Sequence, residues 1–308
     1  MEDKKKYEMT SITKAYTNDM GVEFTLHRIK ALQDIPDYNV KAGDYGGWIE
    51  NMQNLSQFEK CWVRDDAMVF GYATVKGNAQ IEGNAMVFGR ANVHGDTVVK
   101  DDAVVRDNVC VYDNACISQQ AIVEKNAQVF GMATVMGRAL VTDKASVSCE
   151  AVINDDAVVA GKAKIEDKAN LNGAVLVSGE AVVEGFAKLN NFAKVLDRAN
   201  VRGNSEVFGN SVIMGNAEIS GESFIMEQSL VGGNAMLHDV KLAGHCCISG
   251  TSSFRSIFLK DIRLHDAINT VVHAKYEKKD NKVLYKALSR KKESRERENL
   301  EVDKGNFR

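Results

Sequence analysis

The sequence predicts an all-β solenoid built from a six-residue repeat, and three observations predict it. An aliphatic residue, always Val, Ile or Leu, stands at every sixth position from Val69 to Leu237, 29 positions without a slip. Two residues before each stands a small or short side chain, Ala67, Ala73 and Ala79 being the first, with Thr, Ser or Val as the only replacements. Two residues after each stands Gly, Asp or Asn in 25 of the 29 cases. A fixed period of this kind decides architecture before any other signal is weighed.

Each hexad reads small, outward, aliphatic, outward, Gly/Asp, outward. Strand side chains alternate in direction, so the small and aliphatic residues share one side, which must be the interior. The Gly/Asp/Asn position turns the chain, because these residues best tolerate positive φ. No hexad can bury its face alone, so successive coils must stack. Hairpins would need turns of varying length, and the turn here never varies.

The pattern resembles the hexapeptide repeat of left-handed parallel β-helices. In that family three hexads close one triangular coil. The resemblance implies a single-stranded left-handed parallel β-helix of about ten coils, stacked at about 4.8 Å.

The ends differ from the repeat. Residues 1–50 read as a capping segment, 51–270 as the β-helix and 271–308 as a charged tail. An open end exposes strand edges and needs a cap. Glu23-Phe-Thr-Leu-His-Arg-Ile-Lys-Ala-Leu reads as a strand, and Pro36, the only proline, as part of a loop. A Gly-rich turn then leads into Trp48. Trp48 and Trp62 read as a hydrophobic plug over the first coil. Lys41-Ala42-Gly43, Gly46-Gly47-Trp48, Leu55-Ser56 and Cys61-Trp62-Val63 resemble, in order and spacing, the entry segment of the bacterial YdcK-like proteins. That group is a hexapeptide-repeat branch regarded as acyltransferase-like on the strength of its fold. At the far end the register slips by one residue after Ala235, and Val240/Leu242, Cys246/Ile248 and Ser252/Phe254 resume the six-residue step. Val283, Leu284, Ala287 and Leu288 recur at helical spacing and predict a short amphipathic helix. Residues 275–308 hold 12 Lys/Arg against 7 Asp/Glu. Only Tyr276 and Tyr285 are interleaved as aromatics before the charged run, too few to indicate a nucleic-acid partner.

Sorting the residue before each aliphatic by every third hexad separates three faces. One carries Met68, Met86, Val104, Ile122, Leu140, Val158, Leu176, Lys194, Val212 and Leu230, and nine of these ten are apolar. The other two are mixed surfaces. An apolar stripe of that extent marks an interface. At about 1.5–3 kcal/mol per buried side chain, covering most of it could offset the cost of association. The expectation is a homo-oligomer, and the family resemblance implies a trimer.

Chemistry is sparser. Hexapeptide-repeat acyltransferases use a histidine as general base on an acceptor, with an acyl-CoA held between neighbouring prisms, and a loop ejected from a coil helps to wall the cleft. No insertion breaks the phase between residues 67 and 239. His94 points outward in Val93-His94-Gly95, and His245 lies where the register slips, so these two are the base candidates if the resemblance extends to activity. His238 falls on the face of His94 but eight coils away. No HxxxxH spacing, phosphate loop, Ser-His-Asp spacing or HExxH motif is present, and no metal is expected. Outward Asn78, Asn84, Asn108 and Asn114 sit where side chains could stack as ladders.

Two functions stay open. One is a non-catalytic homo-oligomeric scaffold or interaction protein that requires no cofactor and holds a protein partner. The other is an O- or N-acyltransferase using acetyl-CoA or another acyl-CoA. The net charge of −3 indicates neither nucleic acid nor an anionic membrane. The absence of a signal-peptide pattern or long apolar run, and six cysteines with no CxxC pair, point to the cytoplasm.

Overall fold

The computed structural model describes residues 5–18 and 21–264, together with the backbone of 271–273, 278–279 and 282–283. The protein is a parallel β-helix, nearly all β, of about 12 turns. It divides into two compact units, Met1–Ala174 and Val175–Arg308.

In the first unit each strand pairs with the one three hexads further on. Met68–Val69 pairs with Met86–Val87, that with Val104–Val105, and so on through Ile122–Val123, Leu140–Val141 and Val158–Val159. Two further sheets run alongside, through Gln80–Ile81 and Val98–Val99, and through Asn92–Val93 and Cys110–Val111. The small and aliphatic positions are fully buried, from Ala67 and Val69 to Ala169 and Leu171. A two-residue strand suffices because its backbone bonds go to the coils on either side, such as Met86 N–H to the Ala103 carbonyl at 2.9 Å. The second unit follows the same scheme, with Leu176–Val177, Lys194–Val195, Val212–Ile213 and Leu230–Val231 stacked in register.

The corners explain the third position of the pattern. Every sixth residue from Asp65 to Asp239, glycine or not, has φ between 54° and 84°. That left-handed conformation costs most L-residues about 1–2 kcal/mol and suits Gly, Asn and Asp. Many corners are closed by a bond from the small residue back across the turn, as from Ala67 N–H to the Arg64 carbonyl at 3.1 Å.

At the N-terminus, β1 (Tyr7–Thr17) and β2 (Glu23–Ala31) form an antiparallel hairpin with an irregularity between Met9 and Thr13. β3 (Tyr45–Ile49) pairs antiparallel with β2 and parallel with Met68–Val69, so it converts the hairpin sheet into the first coil. β2 matches the strand expected from Glu23, and Pro36 opens a single 3₁₀ turn, Pro36–Tyr38. The first coil runs through Ile49, Leu55 and Val63. The step from Leu55 to Val63 is two positions longer than a hexad, so Ile49 and Leu55 pair with Val69 and Val75. The two extra residues swell the corner at Gln57–Lys60. There the Lys6 ammonium donates to the Glu59 carbonyl at 2.6 Å and the Cys61 carbonyl at 2.8 Å. Burial pulls the Lys6 pKa down, although the nearby Cys61 and Glu59 oppose it.

The hairpin then lies across one face of the first coils. Leu26, Trp48, Met68 and Phe70 form a buried cluster, with Tyr16, Phe24, Met86 and Phe88 packed against it. Trp48 and Trp62 occupy outward positions, each just before an inward residue, and both are buried on the sides of the coil. Trp62 meets Tyr7 edge-on at 6.4 Å. Trp48 lies under the Arg28 guanidinium and the Lys14 ammonium and donates its Nε1–H to Asp66 at 3.2 Å.

At the C-terminal side the single-residue slip shortens by one position the coils that contain it. Ile225 pairs with Leu242, Val231 with Ile248 and Leu237 with Phe254. Leu242, Ile248 and Phe254 stay buried, as the resumed six-residue step requires. These coils and the one through Ile49 raise the count above the ten that the hexads alone supply. The helix expected over 283–288 lies outside the described residues, except that Lys282–Val283 pairs antiparallel with Lys278–Lys279. No helix among the described residues is long and apolar enough to cross a membrane.

Candidate functional site

Stacking turns each outward position into a column whose members lie one coil apart. In the first unit, Met68 is buried under the hairpin, and Met86, Val104, Ile122, Leu140 and Val158 are half-buried. Part of this cover comes from the neighbours above and below, so a further partner could remove only the remainder from water. Beside this column, Phe70 stacks on Phe88 at 4.8 Å. Farther along, Arg106 donates to Glu124 through Nε at 2.9 Å and also through its terminal nitrogen, and Thr142 donates to Glu124 at 3.0 Å. Burial alone would raise the Glu124 pKa, but the bonds from Arg106 and Thr142 hold it below the usual carboxylate range. In the second unit Leu176, Val212 and Leu230 are half-buried and Lys194 is exposed.

His94 is half-buried. Its ring lies edge-on to Tyr112 at 5.4 Å, and Tyr112 stacks on Phe130 at 4.8 Å. Its Nδ1 is buried with no hydrogen-bond partner. His245 is exposed, with Nδ1 3.8 Å from an Asp261 carboxylate oxygen that accepts the His245 backbone N–H at 2.9 Å. Among the described residues, neither ring is hydrogen-bonded to a group that would orient it as a base.

His238 is held differently. On strand Met236–His238 it stands beside Ser220 of the preceding coil and Arg255 of the following one. Ser220 Oγ lies 3.1 Å from His238 Nδ1, and His238 Nε2 lies 3.2 Å from Asp239 Oδ2. With its proton on Nε2, His238 can accept from the Ser220 hydroxyl at Nδ1, a hydroxyl that also lies 3.4 Å from the Leu237 carbonyl, and the Asp239 carboxylate stands beside Nε2 at ion-pair distance. Asp239 is itself fixed, because its other oxygen accepts the Glu222 N–H at 2.8 Å. Ser220 and His238 line an open groove of about 550 Å³ with Arg202, Glu218, Met236 and Arg255. Arg202 is paired with Glu218, whereas Arg255 makes no ion pair among the described residues. The expectation that no Ser-His-Asp set is present is corrected here: the three side chains meet only through stacking, since Ser220 precedes His238 by one full coil. Sorting only the residue before each aliphatic hides the pair, because both follow one.

Side-chain ladders connect the corners. Asn78 donates to Asp96 at 2.7 Å, Asn84 to Asp102 at 2.9 Å and Asn108 to Asn126 at 3.3 Å. Among the described residues no group of three or more His, Cys, Asp or Glu is placed to hold a metal ion. No family model matches the chain, and no curated protein matches it.

Proposed function

We propose that this protein is a homo-oligomeric β-helix scaffold of the YdcK-like hexapeptide-repeat kind, assembling as a trimer and holding partner proteins on its remaining faces. The observation that carries this reading is the row Val104, Ile122, Leu140 and Val158 in the first unit, which continues past the hairpin and is left half-exposed. A polar flank, Arg106–Glu124–Thr142, already has its bonds satisfied within the chain, so contact there does not strand a charge. Free thiols at Cys61, Cys110, Cys116, Cys149, Cys246 and Cys247 fit a reducing compartment such as the cytoplasm. Light scattering tests the assembly. Ile122→Lys with Leu140→Lys should reduce a trimeric mass to that of one chain, with the far-ultraviolet spectrum unchanged. A wild-type monomer, or a double variant of unaltered mass, would sink the scaffold reading. Met86 is less suited to this test, because it packs against the hairpin.

A second reading is favoured by a specific observation, the placement of His238 Nδ1 3.1 Å from the Ser220 hydroxyl with the Asp239 carboxylate beside the other ring nitrogen. A histidine so placed is suited to general-base catalysis, here acyl transfer from acetyl-CoA or another acyl-CoA to an acceptor hydroxyl or amine. Calorimetric titration with acetyl-CoA tests it. Micromolar binding, with turnover abolished in His238→Ala and retained in His94→Ala and His245→Ala, supports this reading. Turnover that survives His238→Ala removes it.

A further inference from the structure

We propose that Ser220 is a nucleophile, and that Ser220, His238 and Asp239 together take an acyl group from an ester or thioester onto the serine oxygen. The inference rests on the acyl-transfer reading of His238 and adds a covalent step that a histidine base alone does not imply.

The arrangement has the three parts that activation of a hydroxyl requires. The nucleophile and base are in contact, Ser220 Oγ to His238 Nδ1 at 3.1 Å. A carboxylate stands beside the base, His238 Nε2 to Asp239 Oδ2 at 3.2 Å, close enough to stabilise the imidazolium that forms when Nδ1 takes the proton. That carboxylate is anchored to the backbone by the Glu222 N–H. Register produces the set. Parallel strands stand about 4.8 Å apart, so a serine and a histidine in one column reach each other without strain. The corner residue after the histidine turns its carboxylate back toward the ring. Gly221 beside it leaves the room, since a Cβ there would collide with the Asp239 carboxylate oxygen.

The groove fits an acyl donor. Met236 is half-exposed in it and offers apolar surface to an acyl chain. The exposed Arg255 guanidinium, one coil beyond His238, is a cation available to the developing oxyanion or to an anionic part of the donor.

The step balances without an oxidant or reductant. His238 Nδ1 takes the Ser220 hydroxyl proton as Oγ attacks the acyl carbonyl. The carbon–sulfur or carbon–oxygen bond to the leaving group breaks, and His238 passes the proton to the departing thiolate or alkoxide. Water then attacks the acyl-serine, giving up a proton to His238, and that proton returns to Oγ as the carboxylic acid leaves.

The full-length chain with p-nitrophenyl acetate tests the proposal. Expected are a burst of p-nitrophenolate of about one equivalent per chain, a mass gain of one acetyl group, and its location on the peptide that holds Ser220. Ser220→Ala should abolish both burst and adduct. His238→Ala should slow the burst by about 10²-fold or more. Asp239→Asn keeps an oxygen for the Glu222 N–H, and should lower the burst rate constant while leaving its amplitude intact, which a merely structural role would not do. No adduct, or an adduct that persists in Ser220→Ala, overturns the proposal. If Ser220→Ala still moves acetyl groups from acetyl-CoA to an amine, the serine step is wrong and the histidine-base reading stands. If the wild type forms the serine adduct but transfers to no acceptor, the serine step stands and the transfer reading falls.

Discussion

The corner aspartates do more than tolerate left-handed φ. Through most of the repeat the carboxylate lies over the next coil and accepts the N–H of the corner residue there, Asp107 from Lys125 at 3.0 Å, Asp155 from Gly173 at 2.9 Å and Asp197 from Gly215 at 2.9 Å, whereas Asp239 and Asp261 reach back to the Glu222 and His245 N–H of the preceding coil. Gln119 accepts the Gly137 N–H of the next coil at 3.0 Å, which gives that departure from the pattern a reason. Conformation and clamp can be separated at Asp155. Asp155→Gly keeps the backbone comfortable and loses only the clamp, a cost of about 1 kcal/mol at an exposed site. Asp155→Ala loses the clamp and adds left-handed strain, and should be less stable than Asp155→Gly by about 1 kcal/mol in denaturant midpoints. Equal midpoints would mean that backbone preference plays no part. The sequence made the conformational half of this legible, since Gly, Asp and Asn share it. The bond was not legible, because the acceptor's partner lies a whole coil away along the chain. Ser220 and His238 likewise meet across one coil, with no local motif to mark them.

Among the elements, the hexads announced themselves and the hairpin did not. β2 alternates well enough to be read as a strand. β1 has mixed burial and an irregular register with β2, so its sequence says neither that it pairs there nor that the pair lies across Met68 and Phe70. The attachment rests on Phe70, whose ring is 5.1 Å from Tyr16, 4.9 Å from Phe24 and 4.8 Å from Phe88. Phe70→Ala should cost about 3–5 kcal/mol. In hydrogen exchange the loss should appear in residues 7–31, with the coils beyond Val105 still protected. Loss of protection spread evenly through the first unit would show the hairpin to be part of the same cooperative block. On the same face Glu124 sets a pH dependence. Its pKa is depressed in the folded chain, so its bonds stabilise at neutral pH, and that contribution disappears as pH falls from the ordinary carboxylate range through the lower folded value. The stability difference between wild type and Glu124→Gln should therefore be largest near neutral pH and shrink toward pH about 3. A difference that stays constant over that range would assign Glu124 a packing role alone.

For the whole molecule two periods carry separate information, and they can be pulled apart. The hexad fixes which residues point inward. The coil of three hexads fixes which outward residues share a column, and through it the apolar row, the Asn ladders and the Ser220–His238 contact. Deleting residues 128–145 removes one full coil: Ala127 is followed by Ser146-Val147, and every downstream residue keeps both its direction and its column. Deleting residues 128–133 removes one hexad. Inward residues stay inward, but Leu140 and Val158 leave the column of Val104 and Ile122 for a neighbouring face. Repeat arrays tolerate the loss of a unit when nearest-neighbour interfaces are preserved, so both deletions should give folded chains with β spectra and cooperative melts. If the apolar row joins the copies, the coil deletion should keep the wild-type number of chains per particle, and the hexad deletion should dissociate it. The contrast holds composition and core nearly constant and changes only which face the row occupies. Two deletion variants that assemble alike would separate oligomerisation from the row and move the interface to the hairpin or the far end of the chain.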